Sequence, residues 1–386
     1  MITFERQNLE DQIISALDAS PSRIPIIVGL DGSGRTSLLL NLLGRLSNRA
    51  SCQYVNVEGT ATTPERFLAT LIDESPFNKN RSPQLDGPTK PLNAFKSTVR
   101  FFNSARSHNG QNVIFLLDEV LELRTFESFP GLRNVLRDLL RGLVESNNYF
   151  ILSTRYITRA QRLLRNDPNQ FELIRIPPLT LSEVRTILAW LQPGISEQTI
   201  NELALTVHKI SLGHPSYVTP LLAAICETTS PRVDAPETAL ANLMRPGERL
   251  FSSCRQQFEI RLHRARGYGA LKAILSVLSE EEPLTLTQIA TRIKRTAGST
   301  KDYLSWLEDV DLISVERKRY GFFDPLLRLW VKLHCQAVPP SEERFTTEVK
   351  DYTLSLLPNV PEPVDAHQTE TQEKKNAQTR AMIEID

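Results

Sequence analysis

The amino-acid sequence predicts an α/β protein whose core is a five-stranded, mainly parallel sheet, followed by an all-helical part and by a small unit of three helices and a hairpin. Two observations predict the sheet: short apolar runs alternate with helix-period segments over the first 180 residues, and within the runs apolar residues are nearly continuous. A strand that is apolar on both faces is covered by helices on both sides, as in parallel sheets. The predicted strands are Ile24–Leu30, Cys52–Val57, Val113–Leu117, Tyr149–Ser153 and Leu173–Ile176.

Helical periodicity occurs between these strands and becomes the only pattern after residue 180. Apolar spacing indicates helices at Thr36–Leu46 and Leu132–Val144 within the core. Further helices are predicted over Leu181–Leu191, Glu197–Ser211 and Pro215–Glu227. The stretch 241–268 contains six Arg and two Glu, and its spacing predicts one long basic helix.

The last third of the chain changes character again. Helices are predicted near Gly269–Leu278, Leu286–Arg295 and Ser299–Val310. A strand, a charged turn and a second strand follow, which together make a winged-helix pattern. The predicted domains are an α/β core (1–180), a helical lid (181–267), a winged helix (268–338) and a C-terminal extension (339–386). Residues 359–386 are rich in Pro, Gln, Thr and Glu and are expected to be disordered.

The composition excludes several classes of protein. The chain has 386 residues, with 45 Lys or Arg against 45 Asp or Glu, so any contact with nucleic acid must come from a local patch. The four cysteines are scattered, which argues against a zinc knuckle, a redox dithiol or a disulfide framework and favours a reducing compartment. No apolar run approaches the roughly 18 residues of a membrane span. We therefore expect a cytoplasmic protein without membrane contact.

One segment carries the pattern of a phosphate-binding loop. GLDGSGRT, residues 29–36, matches G-x-x-x-x-G-K-[ST] at all but one position, after an apolar strand and before a Leu-rich helix. Gly29, Gly32 and Gly34 allow a tight loop whose backbone N–H groups point at phosphate, and the helix N-terminus adds partial positive charge. The Thr36 hydroxyl would reach Mg²⁺. The segment predicts a nucleotide site.

Arg35 stands where this pattern has lysine. The first lysine of the chain is Lys79, so a shift of register supplies no substitute. Arginine keeps the charge, but its planar fork cannot reproduce an ammonium point charge between two phosphates. The chain has 33 Arg and 12 Lys, so a general preference for arginine explains the change as well as a selected loss of hydrolysis does.

A second motif, NVIFLLDEV, ends in two carboxylates. Five apolar residues lead into Asp118 and Glu119, which places both at the carboxyl end of a strand, where open α/β sheets bind ligands. Asp118 would hold Mg²⁺ through water, and Glu119 would orient and deprotonate the attacking water. The pair is a weak signal alone and becomes specific downstream of a phosphate loop.

Together the two motifs resemble the ASCE division of P-loop NTPases, and within it the prokaryotic STAND-type ATPases of the AAA+ group, often called the archaeal ATPase family, with a layout similar to the origin-initiator ATPases. Further segments are similar to that family in their order along the chain. These are FERQNLEDQI near the start, YFILSTRY at the sensor strand, FELIRIPPLTLSEV at the last core strand, LGHPSYVTPLL in the lid and YGFFDPLLRLWVKLH after the winged helix.

The resemblance implies roles for particular residues. ATP and Mg²⁺ are the implied cofactors, with Thr36 and Asp118 at the metal and Glu119 as the catalytic carboxylate. The implied nucleotide-binding residues are Gly29, Asp31, Gly32, Ser33, Gly34, Arg35, Thr36, Ser37, Arg6 and Pro215, with Pro215 on the adenine. Ser153 or Thr154 would be the sensor residue, and His214 could sense phosphate. Arg155 and Arg159 are candidates for an arginine finger that acts on a neighbouring subunit.

Whether the chain contacts DNA stays open at this point. The predicted hairpin turn contains Arg317, Lys318 and Arg319, and such a wing can lie on the phosphate backbone or in the minor groove of double-stranded DNA. The preceding helix, Thr300–Val310, is not basic, since it contains one Lys and three Asp or Glu. In STAND proteins the winged helix commonly acts as an intramolecular lid, so a protein-docking role is the alternative.

Two functions follow as hypotheses. The first is an ATP-driven molecular switch whose nucleotide state controls self-assembly into homo-oligomers and engagement of DNA or of a partner protein. The second is a DNA-binding or scaffold protein that holds a structural, poorly hydrolysed nucleotide. No nuclease, protease or deaminase pattern is present in the sequence, so an effector activity is expected in a partner protein.

Overall fold

The predicted five-stranded sheet is present and fully parallel. The computed structural model describes residues 7–77, 90–165, 169–227, 235–263, 265, 267–336 and 338–356. The strands are β1 (Ile24–Val28), β2 (Cys52–Asn56), β3 (Ile114–Asp118), β4 (Tyr149–Thr154) and β5 (Phe171–Arg175). Their order across the sheet is β2-β3-β4-β1-β5, and each neighbouring pair is parallel. The carboxyl ends of β1, β3 and β4 therefore lie side by side at one edge of the sheet.

Helices cover both faces of the sheet, as the apolar strands predict. They are α1 (Gln7–Asp18), α2 (Arg35–Leu46), α3 (Val57–Thr60), α4 (Pro64–Asp73), α5 (Pro91–Ser104), a 3-10 helix (Val120–Ser128), α6 (Val135–Val144) and α7 (Ile157–Leu164). On the face covered by α1 and α2, Ile27, Leu39 and Ile151 are fully buried. On the other face, Phe115 and Phe150 stack at 5.5 Å. The apolar residues of each strand thus bury two opposite cores.

After the sheet, the described residues up to 263 form helices and no further strand. They are α8 (Leu181–Leu191), α9 (Glu197–Ser211), α10 (Pro215–Cys226), α11 (Ala235–Leu243) and α12 (Arg249–Leu262). The prediction of one long basic helix over 241–268 is wrong, because α11 and α12 are separate. Pro246 cannot continue a helical hydrogen-bond ladder, and Gly247 adopts a φ of 94° that ends it.

The C-terminal part has the three helices and the hairpin that its sequence predicts. Its elements are α13 (Tyr268–Glu280), β6 (Leu284–Thr285), α14 (Leu286–Arg292), α15 (Ala297–Asp309), β7 (Ile313–Glu316), β8 (Arg319–Phe322), α16 (Pro325–His334) and α17 (Glu342–Leu356). The three strands form an antiparallel sheet of order β6-β8-β7. Helix α17, which the sequence analysis did not foresee in the C-terminal extension, buries Phe345 and Val349. The winged-helix assignment and the four domain limits stay predictions.

A buried polar network joins the C-terminal part to the helical part. The Tyr217 hydroxyl of α10 donates to Asp324 Oδ2 at 2.5 Å, and Gln257 Nε2 of α12 donates to the Tyr217 hydroxyl at 3.1 Å. Asp324 Oδ1 accepts the backbone N–H groups of Leu326 and Leu327, and thereby caps α16. Three segments far apart in sequence thus satisfy one another's polar atoms in the interior.

Some predictions fall outside the described residues. Arg6 and the tail 359–386 are among them, so what was expected of them stays a prediction. Within the described ranges, no helix is both long and apolar enough to cross a membrane. The four cysteines, all of which are described, are free.

Candidate functional site

The predicted phosphate loop lies between β1 and α2, at the carboxyl edge of the sheet. Gly34 is the N-cap of α2 with a φ of 95°, and Gly32 has a φ of 75°. Residues with a side chain rarely adopt this backbone conformation, so both positions favour glycine. A Cβ atom at Gly32 would lie 2.5 Å from Cβ of Ser216. The first turn of α10 therefore packs directly against the loop.

Arg35 turns back into the phosphate loop and is 7% exposed. Its Nη1 donates to the carbonyl oxygen of Leu30 at 2.5 Å and to that of Gly29. Its Nη2 donates to Glu119 Oε1 and lies 3.5 Å from Asp31 Oδ1. The planar guanidinium offers five N–H donors in a fork, so it reaches carbonyls and carboxylates at once. One side chain thereby connects the loop with the acidic end of β3.

Asp118 accepts three hydroxyl groups at the end of β3. The Thr36 hydroxyl donates to its Oδ2 at 2.7 Å, the Tyr54 hydroxyl donates to the same oxygen at 2.9 Å, and the Ser153 hydroxyl donates to Oδ1. Burial and the charge of Asp118 raise the pKa of Tyr54, so the phenol stays protonated and donates. A hydroxyl and a carboxylate oxygen side by side are ligands of the kind that Mg²⁺ takes from a protein while it keeps waters and phosphate oxygens, so Thr36 and Asp118 are the residues that would hold the ion.

Glu119 adopts an uncommon backbone conformation next to the loop. Its φ is 57°, in the left-handed region, and its side chain is buried. The backbone N–H donates to Ser153 Oγ at 3.1 Å, and Oε2 accepts the backbone N–H of Arg155 at 3.0 Å. These bonds and the contact with Arg35 hold the carboxylate against the phosphate loop despite the backbone strain.

The two sensor candidates occupy different positions, although both are fully buried. Ser153 contacts Asp118 and the backbone of Glu119. The Thr154 hydroxyl accepts the backbone N–H of Tyr156 at 3.2 Å, away from the acidic pair. Of the two alternatives, the structure brings Ser153 into the site.

The predicted role of Arg155 as a finger for a neighbouring subunit does not fit its position. The side chain is 4% exposed and points into its own site. Its Nη2 donates to Glu58, its Nη1 lies 3.4 Å from Asp31 Oδ1, and its Nε lies 3.3 Å from Glu119 Oε2. Although burial opposes it, the charges of Asp31, Glu119 and Glu58 raise the pKa of Arg155. Arg155 is therefore placed to act in cis.

The other predicted site residues are dispersed around the loop. The Arg159 guanidinium lies 5.0 Å from the Tyr156 ring centre, and its Nη2 has no hydrogen-bond partner. Ser33 is buried with an unpartnered hydroxyl, whereas Ser37 is exposed on α2. Arg159 is intermediate in exposure, and its role as a finger stays a prediction.

An apolar cavity of about 210 Å³ lies next to the phosphate loop. Its lining includes Gly29 and Leu30 of the loop, Ile176 and Pro178 after β5, Pro215 of α10 and Phe323 before α16. Core, lid and C-terminal part thus all border one cavity, and the role of Pro215 on the adenine stays a prediction. The lining is mostly apolar and includes the start of the loop, as is usual for sites that bind small molecules.

His214 lies between this cavity and the loop. Its Nδ1 is 2.8 Å from Ser216 Oγ, and its ring packs on Tyr217 at 4.8 Å. Its Nε2 is shielded from solvent and has no hydrogen-bond partner. Burial lowers the pKa of His214 to about 4, so the imidazole is neutral at pH 7. A neutral ring with a shielded nitrogen is available to a ligand beside the loop.

We expect His214 to make folding sensitive to acid. Because its folded-state pKa lies below its ordinary value, the unfolded chain takes up the proton first, and stability present above pH 6.5 is lost as the pH falls towards about 4. At pH 5 the loss is about 1–2 kcal/mol. Urea unfolding of wild type and His214→Gln at pH 7.5 and 5 measures it.

The matched control is His108→Gln, because His108 is exposed. It should show the same loss of stability between the two pH values as wild type, whereas His214→Gln should lose less. Equal losses in all three proteins would contradict the assignment.

The predicted DNA-contact residues lie at the tip of the β7–β8 hairpin and are exposed. Glu316 pairs with Arg319, so Arg317 and Lys318 form a two-residue turn. Their φ values are 49° and 65°, both in the left-handed region. Such a turn favours Asn-Gly, and other side chains strain it. Two bulky cations thus occupy positions that suit them poorly.

Sequence reasoning missed several residues of the site. Tyr54 lies in the adjacent strand β2 and Glu58 follows it in α3. Polar residues at the end of β2 were a signal, since β2 ends at the same sheet edge as β3. Arg261 lies close to Asp31 from α12. Its spacing from Leu250 places it on the apolar face of that helix, where an arginine is unexpected.

No protein-family model and no curated protein matches the chain. Among solved structures, a Walker-type ATPase of Pyrococcus abyssi is similar over 86% of this chain and 96% of that chain, with 15% identity and a TM-score of 0.58. The Orc1 protein of Aeropyrum pernix, solved in complex with DNA, is similar over 92% and 95%, with 18% identity and a TM-score of 0.47. The RuvB Holliday junction branch migration motor of Thermotoga maritima is similar over 82% and 92%, with 13% identity and a TM-score of 0.41.

The likeness to the Pyrococcus protein extends over nearly all of both chains, and at 15% identity it concerns the fold. Within this fold, β4 separates the loop strand β1 from the acidic strand β3. The chain has the fold of a P-loop ATPase, and the prediction of that fold is confirmed.

Proposed function

We propose that the chain is an ATP-driven molecular switch, which binds ATP with Mg²⁺, hydrolyses it, and thereby controls its self-assembly and its engagement of DNA or a partner protein. One observation supports this most: the Thr36 hydroxyl, the Asp118 carboxylate and the Glu119 carboxylate meet at the mouth of the phosphate loop. A site that only holds a nucleotide has no need of a carboxylate that can accept a proton from water.

Each group has a chemical role in this proposal. Thr36 and Asp118 would hold Mg²⁺, and charge on the phosphate oxygens would be neutralised by the bound ion. Glu119 would take the proton of a water whose oxygen attacks the γ-phosphorus, while the bond from that phosphorus to the leaving oxygen of ADP breaks. Arg35 and Arg155 would bind the phosphate oxygens as charged donors. The apolar cavity beside the loop would hold the base.

The test is steady-state ATP hydrolysis by the full chain, with and without double-stranded DNA, using Glu119→Gln as the blank. Turnover above the blank that rises with DNA supports the switch and a role for DNA. Turnover above the blank that is unchanged by DNA supports the switch and points to a protein partner. Tight nucleotide binding without turnover would overturn the hydrolysis and favour the second function.

The second function is that of a protein that holds a nucleotide without hydrolysing it efficiently, and the contacts of Glu119 favour it. Both oxygens of Glu119 accept bonds from arginine residues, one from the Arg35 side chain and one from the Arg155 backbone. While these bonds persist, both oxygens are occupied, so a water has no free carboxylate oxygen to approach until Arg35 leaves. In this alternative, a poorly hydrolysed nucleotide stabilises a DNA-binding or scaffold protein.

Contact with double-stranded DNA is proposed for the hairpin tip. Arg317 and Lys318 are exposed cations held in a strained turn, and residues in unfavourable backbone conformations concentrate at functional sites. The other end of the same unit supports a lid role, because Glu308 and Asp309 of α15 pair with Arg162 of α7. In this proposal the unit is docked on the core and leaves its tip free for a partner.

We expect the double replacement of Arg317 by Asn and Lys318 by Gly to stabilise the protein and weaken its binding to DNA. The new pair relieves the left-handed turn, so the free energy of unfolding should rise by about 1–2 kcal/mol. Loss of two phosphate contacts should reduce the slope of log affinity against log salt by about 2. Urea unfolding and salt-dependent DNA titration measure the two effects.

Lys350→Gln, which removes an exposed cation on α17, is the control and should change neither quantity. A tip variant that is more stable but binds DNA with an unchanged salt slope would remove the hairpin from the DNA interface.

A further inference from the structure

Arg261 is a fully buried arginine with missing partners. Its side chain has no exposed surface, and its Nη1 donates to the carbonyl oxygen of Asp311 at 3.1 Å. Its Nε and Nη2 have no hydrogen-bond partner. Leaving donors of a buried guanidinium unpaired is costly, because each has lost its water. The position therefore favours a second arrangement in which these donors are bonded.

The acceptor for such an arrangement lies next to it. Asp31, within the phosphate loop, has Oδ1 at 3.4–3.5 Å from Arg155 and Arg35, whereas its Oδ2 has no hydrogen-bond partner. Arg261 Nη2 lies 3.6 Å from that oxygen, just beyond hydrogen-bond distance. Burial alone would raise the pKa of Asp31, but the charges of Arg261, Arg155 and Arg35 hold it below its usual value. The Asp31 carboxylate is thus charged and interacts with three arginines, none of which it contacts closely.

The second contact of the Arg261 guanidinium is with Asp311, a residue that joins two parts of the chain. Asp311 lies between α15 and β7, fully buried, with a φ of 54°. Its carboxylate accepts the backbone N–H of Ile157 at 2.6 Å, and the backbone N–H of Thr158 at 3.1 Å and its hydroxyl at 2.6 Å. It therefore caps α7, which begins two residues after Arg155.

Phosphate bound in the loop competes with Asp31 for the same arginines. A guanidinium forms stronger, bidentate bonds with a phosphate than with a carboxylate at 3.4–3.5 Å. When Arg35 and Arg155 turn to phosphate, Asp31 keeps its buried charge and needs a cation. Only a small movement separates Oδ2 from Arg261.

We propose that Arg261 is a positioning residue that takes over Asp31 when nucleotide occupies the loop, and so couples the loop to Asp311 and the β7–β8 hairpin. The inference rests on the proposed function, since it requires a nucleotide in the loop. Arg261 touches no phosphate in this scheme and acts through Asp31. Nucleotide therefore tightens the contact of the C-terminal part with α7.

The test compares hydrogen exchange of α7 and of residues 311–322 with and without a non-hydrolysable ATP analogue and Mg²⁺. In wild type, nucleotide should slow exchange there by about tenfold. Arg261→Met keeps the volume without the charge and should lose this response, while it still binds the analogue in direct titration. Arg261→Lys is the second variant, to be used if Arg261→Met fails to fold. It keeps a buried charge but has one shorter donor group. It should also lose the response.

The control is Arg162→Gln, which breaks the ion pairs with Glu308 and Asp309 across the same α7–α15 contact. It should keep the nucleotide response, because those pairs do not reach the loop. Arg261 variants that respond like wild type, or an equal loss in Arg162→Gln, would overturn the coupling through Arg261 alone. Wild type that binds no nucleotide in the titration would overturn the proposed function, and this inference with it.

Discussion

Replacement of Glu119 by glutamine is expected to reduce ATP turnover by about 10²–10³-fold while nucleotide binding is retained. The amide keeps the shape of the side chain and can still accept the Arg155 backbone N–H, but it cannot take a proton from water. A loss of this size is that of a positioned general base. Phosphate release at saturating ATP and titration with a fluorescent ATP analogue separate the two quantities.

Glu122→Gln is the matched control, because Glu122 follows in the same acidic segment and accepts the Tyr156 hydroxyl at 2.9 Å. It should change turnover by less than about threefold, the level of a surface effect. If both variants lost turnover equally, the cause would be structural, and Glu119 would have no special role as the base.

The two replacements of Arg35 are expected to affect different quantities: alanine should weaken nucleotide binding, and lysine should raise ATP turnover. Arg35→Ala removes a charged donor from the loop and should weaken nucleotide binding by about 10–100-fold, the range for charge-assisted bonds. Arg35→Lys keeps the charge, but one ammonium cannot bond both loop carbonyls and Glu119 as the guanidinium does. Glu119 is then freed, so turnover should rise.

The same binding and turnover assays measure both Arg35 variants. Arg49→Ala is their control, since Arg49 lies beyond α2 and pairs with Asp18 on the surface. A lysine variant with unchanged turnover would show that the contact between Arg35 and Glu119 does not restrain hydrolysis. In that case the preference of this chain for arginine explains the residue at position 35.

The parts of the fold and site that the sequence predicts depend on local patterns. Apolar runs bounded by turns predict β1 to β5 within a few residues, because strands covered by helices on both faces are mostly apolar. The glycines of the loop and the pair Asp118–Glu119 were predicted because phosphate chemistry needs those residue types directly after strands. In the structure Thr36 contacts Asp118, as the two motifs imply.

The parts that the sequence does not predict depend on contacts between distant segments. Arg155 was expected to reach a neighbour, and only the packing of Asp31, Glu58 and Glu119 around it shows that it points inward. Arg35 was recognised as unusual, but its bond to Glu119 spans 84 positions and has no local signal. The break at Pro246 follows from the residue type and not from charge spacing, because a proline ends a helix even where the charges around it predict one continuous helix.

The network of Tyr217, Gln257 and Asp324 has a consequence for how the molecule comes apart. Each of these buried groups is the hydrogen-bond partner of another, so separating the lid from the C-terminal part leaves polar atoms without partners in an apolar interior. We therefore expect the two parts to unfold in one cooperative transition. A fragment that stopped near residue 267 would lose the acceptor for Tyr217 and, with it, part of its own stability. On that expectation, the limit that the sequence pattern predicts near residue 267 does not divide the chain into units that unfold independently.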